Sequence, residues 1–250
     1  MKTISVCSLS GGQGKTTTTL LLAKNLTAAG YTVCMLDADP QHSLTLFSGI
    51  ELENTDRSLL EFIKGQGEGL DCVYPVEGDE NLFIVPSDDT LDAAQDYLIQ
   101  TGMGATVLKR RLGGLEEHFD FCLIDSPPQR SQLVLTVLGA ADQLLIPAES
   151  TIKGFASAVR SLDLYHQQLD LGATEANLLG VIPFRDRWFG RNQSKESSLS
   201  INAMKEEVGE DKILPSILES EKYKRSIAHG TRLPEKLNYP FKIILERLQS

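Results

Sequence analysis

The sequence has no apolar run approaching the ~20 residues that a membrane-crossing helix needs. Its first residues lead straight into an apolar stretch, with no leader pattern ahead of it. Both absences point to a cytoplasmic protein without membrane insertion. Cysteine is sparse: Cys7, Cys34, Cys72 and Cys122 stand far apart and form no C-x-x-C pair, which argues against a metal or iron–sulfur site. Three of them (Cys7, Cys34 and Cys122) fall in predicted buried strands, where a free thiol acts as a small hydrophobe. Positive charge is also short. A net charge of −10 argues against bulk affinity for nucleic acid. The deficit is uneven, however. Residues 151–250 hold 15 Lys and Arg against 13 Asp and Glu, a balance of +2, while residues 1–150 hold 9 against 21, a balance of −12. Basic groups gather at Arg185, Arg187, Arg191 and Lys195, and again at Lys222, Lys224 and Arg225. No linker, repeat or low-complexity stretch interrupts the 250 residues, so one domain over 1–250 is expected.

What is present is concentrated near the start. The apolar stretch from Ile4 to Leu9 runs into Ser10-Gly11-Gly12-Gln13-Gly14-Lys15-Thr16-Thr17. This reads as a strand entering a glycine-rich turn that opens a helix, the arrangement that aims backbone N–H groups at a phosphate. The common pattern G-x-x-x-x-G-K-[ST] is not met, because its first glycine would fall on Leu9. The core G-G-Q-G-K-T of a deviant P-loop stands instead. Glycines at 11, 12 and 14 let the backbone bend round phosphates, Lys15 reaches the β- and γ-phosphates, and the Thr16 hydroxyl is suited to Mg²⁺.

Further along, helical spacing covers 17–29, and 31–36 is an almost wholly apolar strand that ends in Asp37-Ala38-Asp39-Pro40-Gln41. Helices are expected at 57–65, 90–114, 132–138, 155–170, 195–208 and 241–249. Strands are expected at 82–85, 119–124, 143–146, 178–182 and 212–214, and the polar stretch 183–195 reads as a loop entering a helix. Strands alternating with helices predict an α/β fold, a doubly wound and mainly parallel sheet flanked by helices. Three strand ends then bring functional groups to one edge: Lys15 and Thr16, the pair Asp37 and Asp39, and Asp125 after Phe121-Cys122-Leu123-Ile124. Thr16, Asp39 and Asp125 are the candidate cation ligands. Asp37 and Asp39 are read as pointing to opposite faces, one to orient an attacking water and the other to support the cation.

G-G-Q-G-K-T, D-A-D-P-Q and F-D-F-C-L-I-D-S-P-P, in this order and spacing, resemble the ParA/MinD family of deviant Walker P-loop NTPases. D-x-D-P-Q is typical of the ParA branch. The resemblance is strong to about residue 160 and weaker beyond it. It implies Mg·ATP binding, an ATP-sandwiched homodimer and slow hydrolysis triggered by a partner. In the ParA branch it also implies sequence-independent binding of nucleoid DNA and a cargo adaptor. Carried over by motif, Gly11, Gly12, Gln13, Gly14, Lys15, Thr16 and Thr17 hold the nucleotide, Asp39 positions water, and Asp125 is the Walker B acid. The family's adenine loop corresponds to Pro215 and Ser216. Arg187, Arg191, Lys222, Lys224 and Arg225 are candidates for DNA phosphates or, alternatively, a solvated basic face, with Glu219 and Glu221 weakening the first reading.

One residue departs from the family. The signature lysine that reaches the partner subunit's ATP belongs at position 10, and this chain has Ser10. Lys153, at the start of a predicted helix, is either an ordinary surface lysine or the catalytic cation that replaces it in trans. A serine at this place is similar to the McdA sub-branch, which positions carboxysomes with an McdB-type adaptor; a ParB-like adaptor is the broader expectation. Two other classes compete. A MinD-like membrane-surface ATPase would want a basic amphipathic C-terminal helix, and the terminal stretch reads as a packing helix instead. A metabolic enzyme on the same scaffold is the other: a nitrogenase reductase-like protein would need cluster-ligating cysteines, which are missing, while an ATP-dependent ligase would need a substrate site that the sequence leaves open.

Overall fold

The computed structural model describes residues 1–53 and 55–249. In chain order the elements are β1 (Lys2–Val6), α1 (Lys15–Ala28), β2 (Val33–Asp37), α2 (Ser43–Phe47), α3 (Leu59–Lys64), β3 (Tyr74–Pro75), β4 (Leu82–Val85), α4 (Ala93–Gln100), α5 (Gly104–Leu112) and β5 (Phe121–Asp125). They continue with α6 (Gln132–Ala140), β6 (Gln143–Glu149), α7 (Ile152–Asp170), β7 (Asn177–Asp186), β8 (Trp188–Phe189), β9 (Asn192–Gln193), α8 (Lys195–Val208), β10 (Ile217–Leu218), α9 (Glu221–His229) and α10 (Glu235–Gln249).

Eight strands form a sheet in the order β10-β7-β6-β1-β5-β2-β4-β3, parallel except where β3 runs against β4. The strands are apolar because both faces are covered. Along β2, Val33 and Met35 enter one core with Leu20, Leu22 and Phe241, while Cys34 and Leu36 enter a second with Leu108 and Val137. A third core lies over β6 and β7, where Ile146 and Val181 meet Leu162 and Met204. All four cysteines are free and buried.

Register fixes the functional edge. Val6 of β1 and Asp37 of β2 both pair with Asp125 of β5, so the three central strands end in one row. The loops that follow β1, β2, β5, β6 and β7 therefore open on the same side of the sheet, where parallel α/β sheets place ligands.

The structure corrects several expected elements. The helix expected over 90–114 is two, broken by Gly102 at φ 64°, a conformation glycine adopts freely. The strand expected at 212–214 is a 3₁₀ turn over Glu210–Lys212, with Ile213 bridging Val181; the edge strand follows as β10. The loop expected from 183 is partly strand, because β7 runs on to Asp186 and β8–β9 form a small hairpin. The basic stretch after Ser220 is helix α9, with Tyr223 and Ser226 buried and Lys222 and Arg225 exposed.

Candidate functional site

Chain direction reverses in the loop between β1 and α1, with Gly12 at φ 78° and Gly14 at φ 91°. Only glycine takes these angles without strain, and at Gly14 space is lacking too: a Cβ there would lie 2.5 Å from the ring of Phe184. Gly11 is under no such constraint, since a Cβ would meet nothing within 4 Å. The Gln13 side chain turns into the protein, where its Oε1 accepts from the Glu149 N–H at 2.8 Å and ties the loop to the end of β6. Lys15 is buried, and its Nζ donates to the Ser10 carbonyl at 3.2 Å. The N-terminus of α1 opens here without a side-chain cap, leaving its N–H groups for an anion.

The Thr16 hydroxyl donates to Asp125 Oδ2 at 2.6 Å. The other carboxylate oxygen, Asp125 Oδ1, is buried with no partner. A buried carboxylate oxygen left bare is costly, and a hard cation with oxygen ligands is the group that suits it. Among the described residues no set of three or more His, Cys, Asp and Glu side chains could hold a metal alone. Mg²⁺ fits this chemistry, since it takes one or two protein oxygens and completes its shell with phosphate and water.

Asp37 is fully buried beside Asp125. Its Oδ2 accepts from the N–H and the hydroxyl of Thr45, both at 2.8 Å, and its Oδ1 from the Asp39 N–H at 3.3 Å. Burial pushes its carboxyl up to about 6 despite those bonds. Asp125 is held well above the usual carboxylate range, by burial first and then by the Asp37 charge. The expectation that Asp37 and Asp39 take opposite faces of one strand fails twice over, since residues two apart in a strand share a face and Asp39 is not in the strand. β2 stops at Asp37, and Asp39 lies beyond it, in a turn where its Oδ1 accepts from the Gln41 N–H at 3.1 Å. Asp37 is consumed by holding α2, which leaves Asp39, half-buried, as the carboxylate with capacity for water. The Asp39 charge still reaches Asp125 and adds to its rise.

A cavity of 330 Å³ lies beside the loop, lined by Thr17, Phe184, Arg185, Leu218 and Tyr223 among others. Pro215 and Ser216 are half-buried ahead of β10 and do not line it. Arg185 has φ 53°, a strained angle for a side-chain-bearing residue. It lies over the Phe184 ring at 5.4 Å and pairs with Glu149 at 3.3 Å.

The remaining candidates scatter over the surface. Lys153 is exposed on the first turn of α7 and makes no ion pair among the described residues. Arg187 is bound to Glu219 at 2.9 Å, which draws the β8–β9 hairpin to the segment before α9; Lys224 pairs with Glu221 at 3.2 Å. Arg191, Lys222 and Arg225 are exposed and carry no such pair among the described residues. Sequence reading missed Arg160, whose Nη2 donates to the Ser10 hydroxyl at 3.2 Å. The only signal for it was its place in a long helix.

A parallel sheet, a deviant P-loop at its central strand and a strand-end aspartate on the P-loop threonine define a P-loop ATPase of the deviant Walker type. The AAA_31 family, described as an AAA domain, matches residues 1–171. Maintenance of carboxysome distribution protein A of Synechococcus elongatus is 50% identical over 99% of this chain and 99% of its own. McdA of Cyanothece, solved as an alanine variant in complex with ATP, is 50% identical, superposes with a TM-score of 0.96, and is matched over 100% of this chain and 96% of its own. Cobyrinic acid a,c-diamide synthase of Mycobacterium smegmatis shares the fold alone, at a TM-score of 0.85 and 24% identity over 100% of this chain and 94% of that one. The chain belongs to the McdA family of ParA-like ATPases.

Proposed function

We propose that this ATPase positions carboxysomes in the cytoplasm through a nucleotide cycle on nucleoid DNA. Two copies close over Mg·ATP, the dimer binds DNA without regard to sequence, and an adaptor on the cargo, of McdB or ParB type, stimulates hydrolysis and release. The observation that carries this reading is 50% identity to a carboxysome-distribution protein over 99% of both chains, in a chain whose P-loop threonine already holds the strand-end aspartate.

Within the site, the loop N–H groups and Lys15 grip the phosphates, and the cavity beside Phe184 receives the base. Asp39 orients the attacking water, and Asp37 fixes the turn that carries Asp39. Thr16 and Asp125 would hold Mg²⁺, which would supply charge neutralisation there. The protein's own contribution is chiefly positioning, as phosphoryl transfer requires. Lys153 is the proposed contact across the dimer. For DNA, Arg191, Lys222 and Arg225 are free to meet phosphates, and the exposed pairs of Arg187 and Lys224 are weak enough to exchange. A membrane-surface role has less support, because Leu237, Phe241, Ile244 and Leu248 of the terminal helix are all buried.

The test is duplex-DNA binding by Asp39→Ala, which should keep ATP without cleaving it. Tight, salt-sensitive binding with Mg·ATP and none with ADP is expected. Adding Lys222→Ala and Arg225→Ala should weaken binding to every sequence alike and lower the salt slope by about one for each phosphate no longer neutralised. Equal binding in both nucleotide states, or none, would contradict the reading.

A further inference from the structure

The three residues that lead into the P-loop are each held from α7. The Ser8 and Ser157 hydroxyls share a hydrogen bond at 3.1 Å, the Leu9 N–H donates to Ser161 Oγ at 3.0 Å, and Arg160 Nη2 donates to Ser10 Oγ at 3.2 Å. Residues 157, 160 and 161 share one face of the helix. Ser161 is itself anchored by donating to the Ser157 carbonyl at 2.8 Å. The entrance to the loop is thus stapled at three consecutive positions.

The third staple differs in kind. Its donor is charged and exposed, and among the described residues no carboxylate pairs with it. Ser10 offers its hydroxyl to Arg160 and its carbonyl to the Lys15 ammonium at 3.2 Å. Two cations already converge on this residue. A lysine in place of Ser10 would add a third positive charge and remove the acceptor that Arg160 uses. The serine and the arginine therefore read as one device, which gives a physical reason for the departure at position 10.

We propose that Arg160 is a positioning residue that acts through the Ser10 hydroxyl to fix the P-loop entrance and the resting place of Lys15, and so sets the affinity for the nucleotide phosphates. The inference rests on ATP binding at this loop, as proposed above. It is tested on the full chain by calorimetric titration with Mg·ATP and by steady-state hydrolysis. Arg160→Ala should raise Kd and KM about tenfold, the scale of one charge-assisted hydrogen bond partly open to water, and leave kcat nearly unchanged. Arg160→Lys, which can still donate, should keep most of the affinity. Ser10→Ala should match Arg160→Ala, and the double variant should lose no more than either single one. Ser10→Lys should bind worse than Ser10→Ala, and adding Arg160→Ala to it should restore affinity. Unchanged Kd in Arg160→Ala, a loss confined to kcat, or additive losses in the double variant would overturn the proposal. Failure of the unaltered chain to bind ATP would instead bring down the functional reading beneath it.

Discussion

Two buried carboxyls, Asp37 and Asp125, end adjacent strands in one register row, and burial outweighs the Lys15 charge that acts on Asp125. Both are therefore held above their ordinary value of 3.8. A carboxyl raised on folding stabilises the fold while it keeps its proton. That contribution is complete below 3.8 and is lost as pH climbs through the value of about 6 reached by Asp37. In chelator, Asp125→Asn removes a carboxyl whose charged form burial disfavours, so it should melt above the unaltered chain at pH 7.5. The gap should close toward pH 5. With Mg·ATP the order should reverse, because only the unaltered chain gains from the ligand. Thermal unfolding with and without the cation reads both effects. Motif spacing singled out Asp125, Lys15 and Thr16 as candidates, and the structure joins Thr16 to Asp125 at 2.6 Å. Spacing could not tell that Asp37 is spent on Thr45, since that depends on a five-residue helix, α2, too short to leave a periodic signal.

At the scale of elements, strands buried on both faces and long amphipathic helices were legible because their patterns repeat. β4 and α8 fall on the expected residues, 82–85 and 195–208. What escaped was short or polar: β3, the β8–β9 hairpin, β10 and α9. Helix α9 had no expected element because the seven residues from Glu219 to Arg225 include only one apolar side chain, Tyr223, which is buried together with Ser226. The last helix, α10, is anchored by Phe241, fully buried and edge-on to Tyr223 with ring centroids 6.5 Å apart. Phe241→Ala should cost about 3–5 kcal/mol in denaturant unfolding, as large aromatic truncations in cores do. A helix kept free for a membrane surface would lose almost nothing.

On the scale of the whole molecule, the side of the sheet that carries the site also carries large exposed apolar side chains. Leu46 and Phe47 follow β2, Ile152 follows β6, and Trp188 and Phe189 follow β7, all exposed and all beyond the strand ends that face the loop. Large apolar side chains exposed on the site's side are what the proposed dimer would cover. Lys153 stands beside Ile152 on that side. Lys153→Ala should leave ATP affinity of the monomer intact while weakening ATP-dependent dimerisation, read by sedimentation; unchanged dimers would remove Lys153 from the contact.

One aromatic ring also ties the bend of the loop to the shape of the cavity proposed for the base. Phe184 fills the space a side chain at Gly14 would take, and it lines the cavity beside the loop. Trimming that ring to admit a bulkier base would loosen the bend that cradles the phosphates, and enlarging it would push on the same bend. The chain therefore has little freedom to drift from one nucleotide to another by changes at this position, because any variant that alters taste must also alter grip.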